Sequence, residues 1–249
     1  MIRSVAFNLA FYLVTALFLL LGSPLLLAPR PWAMAGFRAH ARTTLWLMRW
    51  IVGTEIEVRG RENLPQGPYL VAAKHQSAWD TIALPLLFPD PSLVMKAELL
   101  KIPLYGWFCA KFGMIPIQRE TGPSALRKML KAARDRAADN RQILVFPEGT
   151  RRPPGAPPNY KPGILLLYDA LKLPCVPVAL NSGHFWPRDS FMRRPGKIVV
   201  EILPPLPAGL LRKELRDRLI AVIEEQTAQL DCQLKRTMPP GTTRFIPGE

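Results

Sequence analysis

His75 and Asp80 stand five positions apart in Lys74-His75-Gln76-Ser77-Ala78-Trp79-Asp80. The histidine follows the apolar run Tyr69 to Ala73, which reads as a strand. A strand end opening into a loop is where ligands collect in α/β sheets. A carboxylate bonded to one imidazole nitrogen fixes the tautomer and leaves the other nitrogen free to accept a proton. If Ser77 caps the following helix, Asp80 falls in its first turn, from where its carboxylate can face back toward the ring. The same Ser77-x-x-Asp80 spacing also describes a plain capping box with no catalysis, and local spacing leaves both readings open.

A second cluster is Phe146-Pro147-Glu148-Gly149-Thr150-Arg151-Arg152, again just past an apolar strand. Backbone amides near a glycine, together with a guanidinium, form a seat for phosphate. A solvated turn with charged tips is the bland alternative. Two more cations end apolar strands: Lys96 after Ser92 to Met95, and Arg119 in the segment Gly113 to Glu120. If those strands are neighbours, His75, Lys96, Arg119 and Arg151 converge on one basic rim. Such a rim beside a His–Asp pair suits a phosphate-bearing substrate that must lose a proton. Of the other histidines, His40 reads as an interfacial residue, and His184 follows Asn181-Ser182-Gly183, where it could line a cleft. Cys109, Cys175 and Cys232 lie far apart without a C-x-x-C pair, which argues against a disulfide framework or a zinc site.

The elements that must position these residues alternate. Strands are predicted at Glu55–Val58, Tyr69–Ala73, Ser92–Met95, Met114–Ile117, Ile143–Phe146, Val176–Leu180 and Lys197–Leu203. Helices are predicted at Ala78–Phe88, through Phe112, and at Pro123–Ala138, Gly163–Leu171 and Leu210–Leu234. In the last of these Leu211, Leu215, Leu219, Val222, Ile223, Leu230 and Leu234 recur at helical spacing. Alternation of this kind predicts an α/β domain with a mainly parallel sheet flanked by helices.

The N-terminus has a different character. Residues Val5 to Ala28 carry no charge, long enough as a helix to cross a hydrocarbon core. A signal peptide fits less well, because no small-x-small cleavage site precedes Pro29; a buried core helix is the other alternative. From Pro31 to Gly53, Arg38, Arg42 and Arg49 alternate with Trp32, Trp46, Trp50 and aliphatic residues, as in a helix lying in a lipid interface. Gly22-Ser23-Pro24 interrupts the first run. Both a single span and a two-helix hairpin dipping into one leaflet are therefore compatible with the pattern. The expected organisation is anchoring helices over 1–53, an α/β domain over 54–236 and a mobile tail over 237–249. The downstream arginines predict a catalytic domain on the cytoplasmic face of the inner membrane.

A net charge of +14 over 249 residues calls for an anionic partner. The basic residues are interleaved with a lipid anchor, and no nucleic-acid module is recognisable, which excludes nucleic acid as the expected partner.

Together these motifs resemble the lysophosphatidic acid acyltransferase family, the glycerolipid branch of the H-x4-D acyltransferases. His75 and Asp80 match its first block, and Gly113 through Arg119 match the second. Phe146 to Arg151 match the third residue for residue, and Val176-Pro177-Val178 match the fourth. Tyr160-Lys161-Pro162-Gly163 is similar to the family's lysine-glycine segment. Gln118 departs slightly from the second block, where an acidic or polar residue often precedes the arginine. The likeness covers about Gly60 to Leu203.

The resemblance implies the glycerolipid acyltransferase fold and a reaction. An acyl thioester, on coenzyme A or acyl carrier protein, acylates the sn-2 hydroxyl of 1-acyl-sn-glycerol 3-phosphate (lysophosphatidic acid) to give phosphatidic acid, at a membrane bilayer. His75 is then the base and Asp80 its orienting partner. Arg119, Glu148, Gly149, Thr150, Arg151 and Lys96 hold the acceptor phosphate. No metal or cofactor is implied beyond the thioester co-substrate. Another lyso-lipid acceptor, a non-catalytic basic membrane-binding protein and a lipid hydrolase are the competing readings.

Overall fold

The computed structural model describes residues 1–118 and 123–237. Seven strands form one sheet: β1 (Thr54–Arg59), β2 (Leu70–Ala73), β3 (Ser92–Lys96), β4 (Ile115–Ile117), β5 (Ile143–Val145), β6 (Cys175–Leu180) and β7 (Gly196–Ile202). Their order is β1-β7-β6-β2-β5-β3-β4. Every pairing is parallel except β6 with β7. The mainly parallel α/β sheet expected from the alternation is thus present. Leu70, Val71, Ala72 and Ala73 of β2 are all fully buried. A central parallel strand covered on both faces has to be apolar throughout, which is why it reads as a run and not an alternation.

Apolar residues of β2, β5 and β6 divide between two cores. One lies under α5 (Pro123–Ala138), α6 (Gly163–Leu171) and α7 (Arg212–Thr237), where Met129, Leu167, Leu215, Leu219 and Ile223 meet the sheet. Leu211 stays on the surface, 76% exposed, because α7 begins one residue after it. On the opposite face Trp79, Leu84, Phe185 and Trp186 pack with residues of the N-terminal helices.

The helix predicted over Ala78–Phe88 is shorter. α3 spans Trp79–Ala83 and continues as a 3-10 turn over Leu84–Leu87, because Pro85 has no N–H to extend the helical ladder. The segment through Phe112 likewise divides into a 3-10 turn at Ala97–Lys101 and α4 at Tyr105–Phe112. The tail expected beyond α7 lies outside the described residues.

At the N-terminus α1 (Ile2–Leu21) and α2 (Arg30–Leu47) form a helical hairpin turned at Ser23–Leu26. α1 is long and apolar enough to cross a membrane by length and composition. It is also tied to the domain. Phe7 is fully buried and meets Trp186 edge-on at 5.2 Å. Asn8 Nδ2 donates to the Phe191 carbonyl at 2.9 Å, and Ser4 Oγ to the Arg193 carbonyl at 3.1 Å. The outer side of the hairpin exposes Leu9, Leu13, Leu17, Leu20, Trp32, Trp46 and Trp50. The cations of α2 are only partly free for headgroups. Arg30 makes a two-pronged pair with Asp90 at 2.5 and 2.9 Å, and Arg38 donates to the Pro89 carbonyl.

Candidate active site

The carboxyl ends of β6, β2, β5, β3 and β4 stand side by side in the sheet. The segments that follow them are therefore adjacent: Asn181–His184 after β6, His75 after β2, Phe146–Arg152 after β5 and Lys96 at the end of β3. Strand order brings together what the sequence holds up to a hundred residues apart.

His75 Nδ1 lies 2.9 Å from Asp80 Oδ2. Asp80 is fully buried, and the His75 side chain keeps 12% of its surface. Oδ2 also accepts the backbone N–H groups of Gln76 and Ser77, both at 2.8 Å. Ser77 Oγ in turn accepts the Trp79 N–H at 3.1 Å. The N-cap of α3 is Ala78, not the expected Ser77, but the Ser77–Asp80 contact and the His–Asp pair belong to one structure: the carboxylate that accepts the Ser77 N–H also holds the imidazole. Oδ2 already accepts two backbone N–H groups, so this geometry suits the tautomer in which Nδ1–H donates to it and Nε2 is left as an acceptor. The ring stacks on Phe146 at a centroid distance of 3.8 Å and 14° between planes. That contact fixes the ring's second degree of freedom.

His75 borders a cavity of about 930 Å³. Its walls are apolar for most of their length, with Phe18, Leu19, Leu25 and Phe37 from the hairpin facing Phe108, Phe112 and Met114 from the domain. At the sheet end it meets Lys96, Gly149, Thr150 and Arg151. One space therefore joins a base, a group of cations and a long greasy wall. Arg119 lies outside the described residues, although it directly follows Gln118, which borders the same cavity.

Within the Phe146–Arg152 segment the parts have different jobs. Gly149 adopts φ +65°, in the left-handed region, and its N–H closes a turn onto the Phe146 carbonyl at 2.9 Å. That amide is spent inside the loop. Arg152 N–H donates to the His75 carbonyl at 2.8 Å, joining the loop to the histidine backbone. Glu148, expected to help seat a phosphate, borders the same cavity, and one of its carboxylate oxygens is engaged by a buried cation. Its carboxylate is buried and lies 3.2 Å from Lys74 Nζ, which also meets Glu224 of α7 at 2.8 Å. Tyr160 OH donates to Glu224 Oε1 at 3.1 Å. Burial pushes the Glu148 carboxyl above its ordinary range, and the Lys74 ammonium opposes that shift. A buried anion so paired supports the loop from beneath.

The motif glycine Gly113 has a steric reason. It ends α4 at φ +72°, and a Cβ there would come within 2.6 Å of Arg141 Nη1.

Two further cations border the cavity; Lys161 lies in the lysine-glycine segment singled out in the sequence, whereas Arg188 was not singled out. Arg188 borders the cavity and donates from Nη1 to the Arg151 carbonyl at 3.0 Å. Lys161 borders it too, anchored by its N–H on the Pro147 carbonyl at 2.8 Å. Nothing in the local sequence around Arg188 marks it. His40 is not an interfacial residue facing outward. It sits half-buried between α1 and α2, 3.0 Å from Thr15 Oγ1, in the cavity wall. His184 does not border the cavity; it is buried and lies 2.8 Å from Asp231 of α7.

Residues 55–181 match the acyltransferase family, and the chain belongs to it. It is similar to the 1-acyl-sn-glycerol-3-phosphate acyltransferase of Pseudomonas aeruginosa, 35% identical over 203 residues that cover 80% of this chain and 79% of that one. The enzyme of the same description from Saccharomyces cerevisiae is 30% identical over 198 residues, 74% of this chain and 65% of its own. In three dimensions the chain is similar to the crystal structure of the 1-acyl-sn-glycerophosphate (LPA) acyltransferase PlsC from Thermotoga maritima. There the TM-score is 0.76 at 23% identity, covering 92% of this chain and 97% of the other.

Proposed function

We propose that this acyltransferase moves a fatty acyl group from a thioester of coenzyme A or acyl carrier protein to the sn-2 hydroxyl of 1-acyl-sn-glycerol 3-phosphate, giving phosphatidic acid. The observation that carries the reading is the His75 ring, backed by Asp80 at 2.9 Å, bordering the same cavity as Lys96 and Arg151. The names of the relatives support the choice of acceptor.

The chemistry follows from those groups. His75 Nε2 takes the acceptor hydroxyl proton as the oxygen attacks the thioester carbonyl. The carbon–sulfur bond then breaks, and the imidazolium returns the proton to the leaving thiolate. Asp80 stabilises the imidazolium that forms in between. A base positioned in this way contributes about 10² to 10⁴ in rate. Arg151, Lys96, Arg119 and Thr150, with Lys161 and Arg188 beside them, hold the phosphate and so set the distance from hydroxyl to ring. Glu148 and Gly149 shape the loop that presents Arg151. A thioester is already an activated acyl group, so the transfer asks for no cofactor.

The apolar cavity wall is built partly from the hairpin, and the hairpin's outer face is apolar too. The acyl chain of an acceptor would then lie along that apolar wall while its headgroup meets the cations at the sheet end. We place the chain at the cytoplasmic face of the inner membrane, where soluble thioesters reach it. Purified protein, given lysophosphatidate and a defined acyl thioester, forms phosphatidate, and His75→Ala does not. Turnover of another lyso-lipid in a panel, with none of lysophosphatidate, would reject the acceptor named here.

A further inference from the structure

The catalytic pair reaches across the sheet to a residue no motif contains. Ser182 lies in the turn after β6, 102 residues from Asp80, and is fully buried. Its Oγ lies 2.5 Å from Asp80 Oδ1. The two carboxylate oxygens are thereby divided. Oδ2 takes the imidazole and two backbone amides, whereas Oδ1 takes the serine hydroxyl. Beside this bond Gly183 N–H donates to Gln76 Oε1 at 3.0 Å, so the turn after β6 grips the His75–Asp80 loop twice. Gly183 has no room for a side chain there, since a Cβ would stand 2.9 Å from the Cβ of Gln76.

We propose that Ser182 is a positioning residue for acyl transfer: its hydroxyl donates to Asp80 Oδ1 and holds the carboxylate in the plane that aligns His75. The inference rests on the His–Asp reading above. The physical reason is the burial of Oδ1. A carboxylate oxygen buried away from solvent must be met by a donor or lose the hydrogen bonds it had in the unfolded chain. With Ser182 present, the charge is satisfied on both oxygens and the carboxylate cannot swing about its Cβ–Cγ bond. Without the hydroxyl, the three donors on Oδ2 remain but Oδ1 is left buried without its donor, so the carboxylate is held from one side only and supports the imidazole less well.

The test is a set of variants assayed with lysophosphatidate and an acyl thioester in mixed micelles. Ser182→Ala is expected to lower kcat roughly tenfold, the effect of one hydrogen bond to a charged group, while KM for lysophosphatidate stays within about twofold. Ser182→Thr, which keeps the hydroxyl, is expected to recover most of the loss. In an Asp80→Ala background, where no side chain is left for the hydroxyl to hold, the same Ser182→Ala change is expected to cost less than about twofold. A kcat for Ser182→Ala within twofold of the parent overturns the inference. So does an equal loss in both backgrounds, or a loss confined to KM. His75→Ala distinguishes the two levels: if it retains the parent rate, the His–Asp reading itself falls. If it is inactive while Ser182→Ala matches the parent, only the role of Ser182 falls.

Discussion

Asp80→Asn isolates one quantity, the charge behind His75, because the surroundings of the carboxylate dictate how an amide must sit there. Three N–H donors converge on Oδ2, from the His75 ring at 2.9 Å and from the Gln76 and Ser77 backbones at 2.8 Å. An amide NH₂ in that place would face three donors, so the amide oxygen is forced into it. The NH₂ then faces Ser182 Oγ, which can accept as readily as it donates. Every hydrogen bond survives, and so does the tautomer with the proton on Nδ1. What disappears is a negative charge beside the imidazolium that forms as the hydroxyl is deprotonated. Unit charges about 4 Å apart at an effective dielectric of about 20 attract by about 4 kcal/mol. Lost only from the charged state of the ring, that is a fall of about a thousandfold in kcat. The assay is initial rate against lysophosphatidate concentration at saturating thioester, beside a thermal unfolding scan. KM is expected to stay within about threefold and the melting temperature to fall little, since the phosphate contacts and the α3 cap are untouched. A folded Asp80→Asn protein that keeps a tenth or more of the parent kcat would refute the argument that this charge drives the proton transfer.

Other expectations test the surrounding parts. Arg151→Ala is expected to raise KM for lysophosphatidate roughly tenfold while kcat falls less, the result of losing a cation that binds acceptor in ground and transition state alike; an unchanged KM would remove Arg151 from the phosphate seat. Lys74→Met leaves Glu148 buried without its partner, and breaking a buried pair from one side costs about 3–5 kcal/mol. At about 2–4 °C per kcal/mol for a chain of this size, the melting temperature drops by roughly 6–20 °C, and adding Glu148→Gln recovers part of it; a drop under about 3 °C would mean that the pair carries little. Leu13 and Leu20 are each 61% exposed on the outer side of α1. Replacing both with Ser should weaken binding to phospholipid vesicles by at least about tenfold in flotation, given about 1.5–3 kcal/mol for each Leu fully buried, whereas unchanged flotation would place the lipid contact elsewhere.

The division between what could and could not be read in the chain follows the range of each interaction. Asp80 meets His75 across the short loop between β2 and α3, so the pair is local in sequence even though its spacing left a plain cap equally open, and the strand-then-loop pattern correctly put it at a sheet end. Burial explains the run of β2, and helical recurrence explains α7. The interactions that were missed are those that sheet order creates. Ser182 comes after β6 and reaches Asp80 only because β6 lies beside β2. Glu148 sits in a motif that reads as an anion seat. It borders the cavity as that reading expects, but its carboxylate is also paired with Lys74 on the neighbouring strand end, a buried partner shared with Glu224 of α7 that local sequence does not reveal. The hairpin was one of two open possibilities, because Gly22-Ser23-Pro24 permits a turn without requiring it. Phe7 and Asn8 dock the start of α1 onto Trp186 and Phe191, residues that follow it by nearly the whole length of the domain. The general rule here is that a site's reacting groups can be local while its supports are not. Ser182 and Lys74 make the sharper tests for that reason: their effects cannot follow from any motif, only from the order of the strands.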